Sequence, residues 1–166
     1  MDGSSGERCV RLRDQLLESI IVTHSKTTSS SSPLTPSMAA LARLLTALPH
    51  THILCSPCAA LDRVDAYLAI DPLRIILCQE HIKTSSQLRK LLIHELIHAY
   101  DLTTQNADLY SCEGLAYSEV RAARAGNCSD PLPFEWLRKD CIKQHAIAST
   151  AVCIEASSSY FSKTFL

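Results

Sequence analysis

The sequence predicts an α+β domain in which a small sheet precedes two helices. Short apolar runs suited to strands lie at 51–55, 66–70 and 74–78, and the last is bounded by a proline and a polar segment. Two segments rich in helix formers and free of Gly and Pro follow, at about 84–102 and at 115–125. A chain of 166 residues with 46% hydrophobic content has room for one domain with a sizeable core.

The segments before the sheet predict two further helices. Residues 7–23 form an amphipathic pattern, and residues 36–48 form a shorter helical pattern that stops at a proline. The Ser/Thr run at 25–33 has no packing capacity and predicts a flexible linker. We therefore expect an N-terminal helix and linker at 1–33 and one folded domain at 34–166.

The long helix after the sheet has a clear start and two apolar stripes. Thr84-Ser-Ser-Gln87 is a capping box, with Thr84 as N-cap and Gln87 reaching back to the start of the helix. At helical spacing one stripe contains Leu88, Leu92, Leu96 and Ala99, and the other contains Leu91, His94, His98 and Asp101. A helix with two buried faces is expected in the middle of the domain.

The motif His94-Glu-Leu-Ile-His98 gives this helix its chemistry. Two imidazoles four residues apart stand one helical turn above each other, so both can reach a single metal ion. Glu95 lies about 100° around the helix, where it can reach a water at the metal rather than the metal itself. This layout is typical of zinc hydrolases, which take a further ligand from elsewhere in the chain. A core helix with two hydrogen-bonded histidines would explain neither the spacing nor the carboxylate between them.

Glu119 is the favoured third ligand, because a second helix at 115–125 would deliver it about twenty residues after the motif. Asp101 shares the face of the histidines but starts a turn further along, so it is better suited to orienting a ligand imidazole through its other ring nitrogen. A surface ion pair of Glu119 with Arg121 or Arg124 is the competing interpretation. The alternative ligands that stay open are Asp101, Asp108, Glu113 and His145. A small sheet, a motif helix and a glutamate helix together make up the minimal zincin architecture.

Four motifs, in this order, resemble a known family: His94-Glu-Leu-Ile-His-Ala-Tyr-Asp101, Ser118-Glu-Val-Arg-Ala-Ala123, Gly126-Asn-Cys128, and Cys141 ahead of a basic helix. The family is the mitochondrial metalloproteases that mature a subunit of the ATP synthase and help to assemble its membrane sector, also described as Ku-binding proteins. The resemblance runs from roughly residue 55 to residue 153. The combined motifs are far more specific than the two histidines alone.

The resemblance implies that His94, His98 and Glu119 hold one zinc ion and that Glu95 is the catalytic base. It implies a protein or peptide substrate, membrane-sector subunits of the ATP synthase as partners, and a place in the intermembrane space, peripheral to the inner membrane. A non-catalytic assembly chaperone on the same fold is the alternative. The intact motif favours catalysis, since a scaffold would not need Glu95.

The chain departs from this family at two positions. The family usually has one cysteine two residues after the aspartate of the motif and another two residues before the downstream glutamate. Thr103 and Tyr117 occupy those positions here. Their joint change fits the loss of one disulfide between the two active-site helices and leaves the metal site untouched.

Eight cysteines are many for a chain of this size, and their even number predicts a disulfide framework in an oxidising compartment. Cys55-Ser-Pro-Cys58 taken alone could also be a redox pair or half of a zinc ribbon, but no second CxxC and no βαβ pattern accompany it. Some cysteines could instead be small buried apolar side chains. In the predicted helical region 133–161, Trp136 is expected to anchor the core.

Charge and hydropathy limit the partners. A net charge of −1 with mixed signs predicts no basic surface for nucleic acid. No apolar stretch approaches the roughly twenty residues needed to cross a bilayer, so we expect any membrane contact to be peripheral. Residues 1–14 mix acidic residues with arginines and resemble neither a signal peptide nor a matrix transit peptide.

Overall fold

The computed structural model describes residues 4–26, 36–48, 52–58 and 64–163. Within these residues it is an α+β fold, as predicted, with five helices and one three-stranded sheet. The elements in chain order are α1 (Ser5–Lys26), α2 (Pro36–Ala47), β1 (His52–Ser56), β2 (Ala66–Ala69), β3 (Arg74–Cys78), α3 (Ser85–Thr103), α4 (Cys112–Ala125) and α5 (Glu135–Lys163).

The sheet has the order β1-β3-β2, with β1 parallel and β2 antiparallel to the central strand β3. The side chains of β3 alternate between two apolar clusters. Ile75 and Leu77 belong to the main core, whereas Ile76 and Cys78 pack on the opposite face. Burial on both faces explains why this strand is a continuous apolar run in the sequence. The predicted third strand has the observed bounds, and the other two differ by one residue at their ends.

The main core lies between the sheet and the helices α1, α2 and α3. Cys9, Leu16 and Ile20 of α1 are buried in it at helical spacing, which confirms the predicted amphipathic pattern. Ser25, the first residue of the predicted linker, still belongs to α1, and residues 27–33 lie outside the described part of the chain.

Helix α3 begins at the predicted cap. The Thr84 side chain accepts a hydrogen bond from the backbone N–H of Gln87 at 3.1 Å. The Gln87 side chain reaches back one residue further than expected, because its Oε1 accepts from the backbone N–H of Lys83 at 3.0 Å. Both predicted stripes meet neighbours, since α3 packs against the sheet, α1 and α2 on one side and against α4 on the other. The motif therefore lies on a helix at the centre of the molecule.

Helix α5 packs against α4 and buries small side chains there, such as Ala146 and Thr150. The prediction that Trp136 anchors the core is wrong: this residue is 64% exposed and stacks on Phe134. With one helix as its main neighbour, α5 offers little volume for a large side chain in its first turn. The prediction failed because the hydrophobicity of a tryptophan does not by itself determine whether its side chain faces the core or the solvent.

All eight cysteines are paired, which confirms the predicted disulfide framework. Cys55 and Cys58 take part in two separate bridges, so they are not a redox pair. The four bridges are Cys9–Cys55, Cys58–Cys78, Cys112–Cys153 and Cys128–Cys141. Among the described helices, none is both long enough and apolar enough to span a membrane.

Candidate metal centre

Helices α3 and α4 bring two histidines and one glutamate together. The Nε2 atoms of His94 and His98 lie 3.0 Å apart. Each lies 3.4 Å from one oxygen of the Glu119 carboxylate, His94 facing Oε2 and His98 facing Oε1. The candidate ligand atoms all lie within 4.8 Å of one another, and the three side chains are between 9% and 12% exposed. A cluster of this size can surround a single ion.

The other nitrogen of each imidazole is held by a hydrogen bond. His94 Nδ1 lies 2.7 Å from Asn127 Oδ1, and an amide oxygen can only accept, so the ring donates its proton there. His98 Nδ1 lies 2.8 Å from Ser118 Oγ, which donates its single proton to Asp101 Oδ2 at 2.8 Å. Ser118 therefore accepts from the His98 ring. Both Nε2 lone pairs are left free to face the centre of the cluster.

Asp101 contacts the His98 imidazole only through another side chain. Its side chain is fully buried, and its two oxygens accept hydrogen bonds from Ser118 and from the Arg121 guanidinium. The sequence predicted that Asp101 would orient a ligand imidazole through its other ring nitrogen, and in the structure the Ser118 hydroxyl lies between Asp101 and Nδ1 of His98. Both oxygens thus have donors, and Asp101 is not among the three residues whose ligand atoms converge.

The centre of the cluster suits a cation. Glu119 Oε2 is buried and has no hydrogen-bond partner within the described residues, although a buried carboxylate oxygen normally has a donor. Two imidazole lone pairs face each other across 3.0 Å in the same place. These acceptors would repel one another unless a positive charge lay between them. Two imidazole nitrogens and one carboxylate oxygen are a donor set that zinc takes in open, catalytic sites.

The charges of these groups agree with that conclusion. Burial by itself would raise the pKa of Glu119, but its contacts with His94 and His98 outweigh burial and lower the pKa to about 2. Burial likewise disfavours the charged form of His94, yet Glu119 and Glu95 together raise the pKa of its imidazole. The protein thus keeps an ionised carboxylate here and favours positive charge beside it.

Glu95 is buried close to the cluster without belonging to it. Burial raises its pKa, and the neighbouring His94 and His98 act in the opposite direction. A carboxyl group whose pKa is raised accepts protons more readily than an exposed glutamate near neutral pH. Its position and its pKa both suit a general base.

The remaining alternative ligands lie away from the cluster. Asp108 and Glu113 are exposed, and Asp108 accepts a hydrogen bond from the backbone N–H of Tyr110. His145 lies beside Cys128 and Cys141, but those two sulfurs are bonded to each other and cannot bind a metal as thiolates. The competing surface ion pair of Glu119 is wrong, because Glu119 is buried and Arg121 pairs with Asp101.

Sequence reasoning missed two residues of this site, Ser118 and Asn127. Both belong to motifs that carried the family resemblance, so a signal was present, but neither side chain is itself a typical metal ligand. Gly126 explains how Asn127 gets so close to α3. A Cβ at this position would lie 2.6 Å from the Lys90 carbonyl oxygen and 3.1 Å from the His94 backbone nitrogen.

Taken together, the fold and the cluster define a small α+β domain with a candidate metal centre between two adjacent helices. The chain belongs to the Peptidase M76 family, which matches it over residues 21–164. The predicted family resemblance is therefore confirmed.

Several curated relatives are named as mitochondrial inner membrane proteases of the ATP23 group. The chain is 36% identical over 85 residues to the ATP23 homolog of Danio rerio, a match that covers 46% of this chain and 34% of the relative. It is 41% identical over 58 residues to the homolog of Homo sapiens, covering 34% and 24% of the two chains. For ATP23 of Yarrowia lipolytica the identity is 40% over 55 residues, covering 32% and 22%. The chain thus matches about a fifth to a third of the length of these relatives. No solved structure matches it significantly.

Proposed function

We propose that this chain is a zinc-dependent metalloendopeptidase with a zincin-like domain at 34–166, against which the N-terminal helix α1 packs. Its zinc ligands are His94, His98 and Glu119, and Glu95 is its general base. The observation that carries the proposal is the convergence of two Nε2 lone pairs and a buried carboxylate oxygen that has no donor. Membership of a peptidase family and the protease names of the relatives support it.

The chain's own residues suit each part of peptide hydrolysis. Bound zinc would supply Lewis acidity, which brings the pKa of an attacking water close to neutral. Glu95 takes the proton of that water and passes it to the leaving amine. Asn127 and Ser118 hold the two imidazole rings through Nδ1, so the ligand nitrogens keep one direction while the substrate reacts.

The substrate is a protein segment in extended form. Strand β2 lies at an edge of the sheet and packs against the motif helix α3. A segment that pairs with this edge by strand addition would run alongside the helix that carries Glu95. Main-chain hydrogen bonds would supply the affinity, so one site could accept different side chains.

We infer that the protein works in the intermembrane space, peripheral to the inner membrane. It would process a mitochondrial membrane-protein precursor and assist assembly of the ATP synthase membrane sector. The names of the relatives support the inner membrane, and four disulfides are typical of an oxidising compartment.

Glu95→Gln tests whether Glu95 is the general base of peptide hydrolysis. The substitution keeps the size of the side chain and both imidazoles but removes the base, so the variant should fold, retain zinc and lose cleavage by at least a hundredfold, as expected for a general base. Glu113→Gln, which makes the same change at an exposed position, is the matched control and should cleave normally. Zinc content and hydrolysis of an unfolded protein substrate are measured side by side.

Full peptidase activity in Glu95→Gln would show that this mechanism is wrong. A variant that cleaves nothing but still promotes assembly of a client complex would add the chaperone role of the alternative hypothesis, separable from proteolysis.

A further inference from the structure

Helices α4 and α5 enclose an open groove with an apolar floor. Its volume is about 570 Å³. The side chains of the floor are small or aliphatic: Ala116, Val120, Ile142, Ala146 and Ile147. Val120 and Ile147 are 43% and 51% exposed, which is high for aliphatic side chains that line a groove. None of the residues that line the groove belongs to the His94–His98–Glu119 cluster, so the groove is separate from the candidate metal centre.

The rim of this groove is basic, although the whole chain has a net charge of −1. Four of its lining residues are cationic and one, Glu135, is acidic. The cationic residues are Arg124, Arg138, Lys139 and Lys143. Arg138 Nε is buried and has no hydrogen-bond partner in the described part of the chain. An arginine donor left without an acceptor beside other cations is suited to an anionic group.

Exposed aromatic side chains continue this surface beyond the groove. Phe134 and Trp136 stack with ring centroids 6.2 Å apart and are 58% and 64% exposed. Leu132, in the same loop, is 41% exposed. Trp136, Asp140, Lys143 and Ile147 are separated by four, three and four residues, so they lie along one face of α5, on which Asp140 is the acidic exception. The aromatic loop and the basic rim therefore form one continuous patch, which we call the α4–α5 surface.

We propose that the α4–α5 surface docks onto the headgroups of an anionic phospholipid bilayer. Lys and Arg attract anionic lipids, while Trp, Phe and Leu enter the boundary between headgroups and acyl chains. An acidic amphipathic helix would fill the groove but leave Leu132, Phe134 and Trp136 in water. A bilayer covers the groove and these three side chains together. The inference rests on the peripheral membrane location in the proposed function and not on the peptidase activity.

The location of Trp136 allows a direct test, because it is the only tryptophan in the chain. The full chain, with its disulfides intact, is titrated with vesicles of phosphatidylcholine alone or of equimolar phosphatidylcholine and phosphatidylserine. We expect a blue shift of the Trp136 emission and co-sedimentation with the anionic vesicles, weakened by salt, and little of either with the neutral vesicles.

Two variants with equal charge changes make the test specific. Lys139→Gln/Lys143→Gln should weaken binding to anionic vesicles on the order of 30-fold, because two membrane-facing charges are lost. Arg11→Gln/Arg43→Gln removes two exposed charges on α1 and α2 and should bind as the parent does. Chemical denaturation of both variants should match the parent, since all four side chains are exposed.

Equal shifts with both kinds of vesicle, or equal weakening in the two variants, would overturn the inference. Saturable binding of an acidic amphipathic peptide without any vesicle binding would also overturn it and assign the groove to a protein partner. No cleavage is involved in these measurements. A protein that hydrolyses substrate in solution but does not bind vesicles would therefore refute the docking surface and leave the proposed peptidase activity standing.

Discussion

Asn127 and Ser118 determine what the two histidines can bind. A neutral imidazole has one donor nitrogen and one acceptor nitrogen, and a partner at Nδ1 fixes which is which. Asn127 and Ser118 accept from Nδ1, so both Nε2 atoms are left as acceptors. The same two hydrogen bonds stop the rings from turning.

Substitutions at three acidic positions separate a ligand from a residue that positions a ligand. Glu119→Gln should abolish stoichiometric zinc binding, because an amide oxygen is a far weaker ligand than a carboxylate. Asp101→Asn should leave zinc bound but lower its affinity roughly tenfold to a hundredfold, since it weakens the contact that holds the His98 ring. Glu113→Gln, on the exposed side of α4, should change nothing. Competition with a chelator gives the affinity of each variant.

Ser118→Ala checks the route of the Asp101 effect. It breaks the contact with His98 but leaves the ion pair between Asp101 and Arg121 in place. It should lower zinc affinity by an amount similar to that of Asp101→Asn.

Stoichiometric zinc in Glu119→Gln, with loss of zinc in Asp101→Asn, would reverse the ligand assignment.

How much of the candidate site could be predicted from the sequence depends on how far apart its residues lie along the chain. His94, Glu95 and His98 lie on one helix, whose geometry is fixed by its period, so their arrangement could be predicted. Glu119 needed a guess about which second helix packs against α3. Asn127 lies in a turn after α4, and its contact with His94 depends on how closely the two helices approach. No periodic pattern in the sequence encodes such a distance.

At the scale of elements, polar contacts join α3 to α4 where relatives are expected to have a disulfide. Thr103 and Tyr117 stand where the family resemblance implies two cysteines, and α3 contains no cysteine at all. The ion pair between Asp101 and Arg121 and the two histidine contacts link the helices instead. Such contacts need close packing, because a hydrogen bond weakens within a few tenths of an ångström.

Gly126→Ala tests that packing. The added Cβ would meet backbone atoms of Lys90 and His94, which cannot turn away as a side chain can, so the end of α4 has to shift. We expect a loss of about 1–3 kcal/mol in the free energy of unfolding, as for other overpacked sites. Zinc affinity should fall roughly tenfold to a hundredfold as Asn127 leaves His94.

Gly6→Ala is the matched control, because its Cβ would meet only the end of the Gln79 side chain. That chain can move, and alanine suits a helix better than glycine, so the change should be close to neutral. Chemical denaturation and zinc competition are measured for both variants. Wild-type stability and zinc affinity in Gly126→Ala would show that α3 and α4 are not closely packed at this point and that the position of Asn127 does not depend on Gly126.

For the whole molecule, the disulfides add covalent links between elements that already pack against each other. Cys9–Cys55 ties α1 to the sheet across 46 residues, and Cys112–Cys153 ties α4 to α5 across 41. Cys128–Cys141 fixes the turn that follows Asn127. The even number of cysteines predicted a framework, but the pairing could not be predicted, since eight cysteines allow 105 connectivities.

Reduction should therefore lower stability without directly removing the metal. A bridge closing a loop of tens of residues contributes about 2–4 kcal/mol by restricting the unfolded chain. For a chain of this size, Cys9→Ser/Cys55→Ser should lower Tm on the order of 10 °C. None of the proposed ligands is a cysteine, so folded, reduced protein should still bind zinc. Thermal unfolding and zinc content, followed before and after reduction, test both statements.

Free thiols are counted in denatured, unreduced protein from its native compartment. We expect none, and eight would refute the disulfide framework together with the argument for an oxidising compartment.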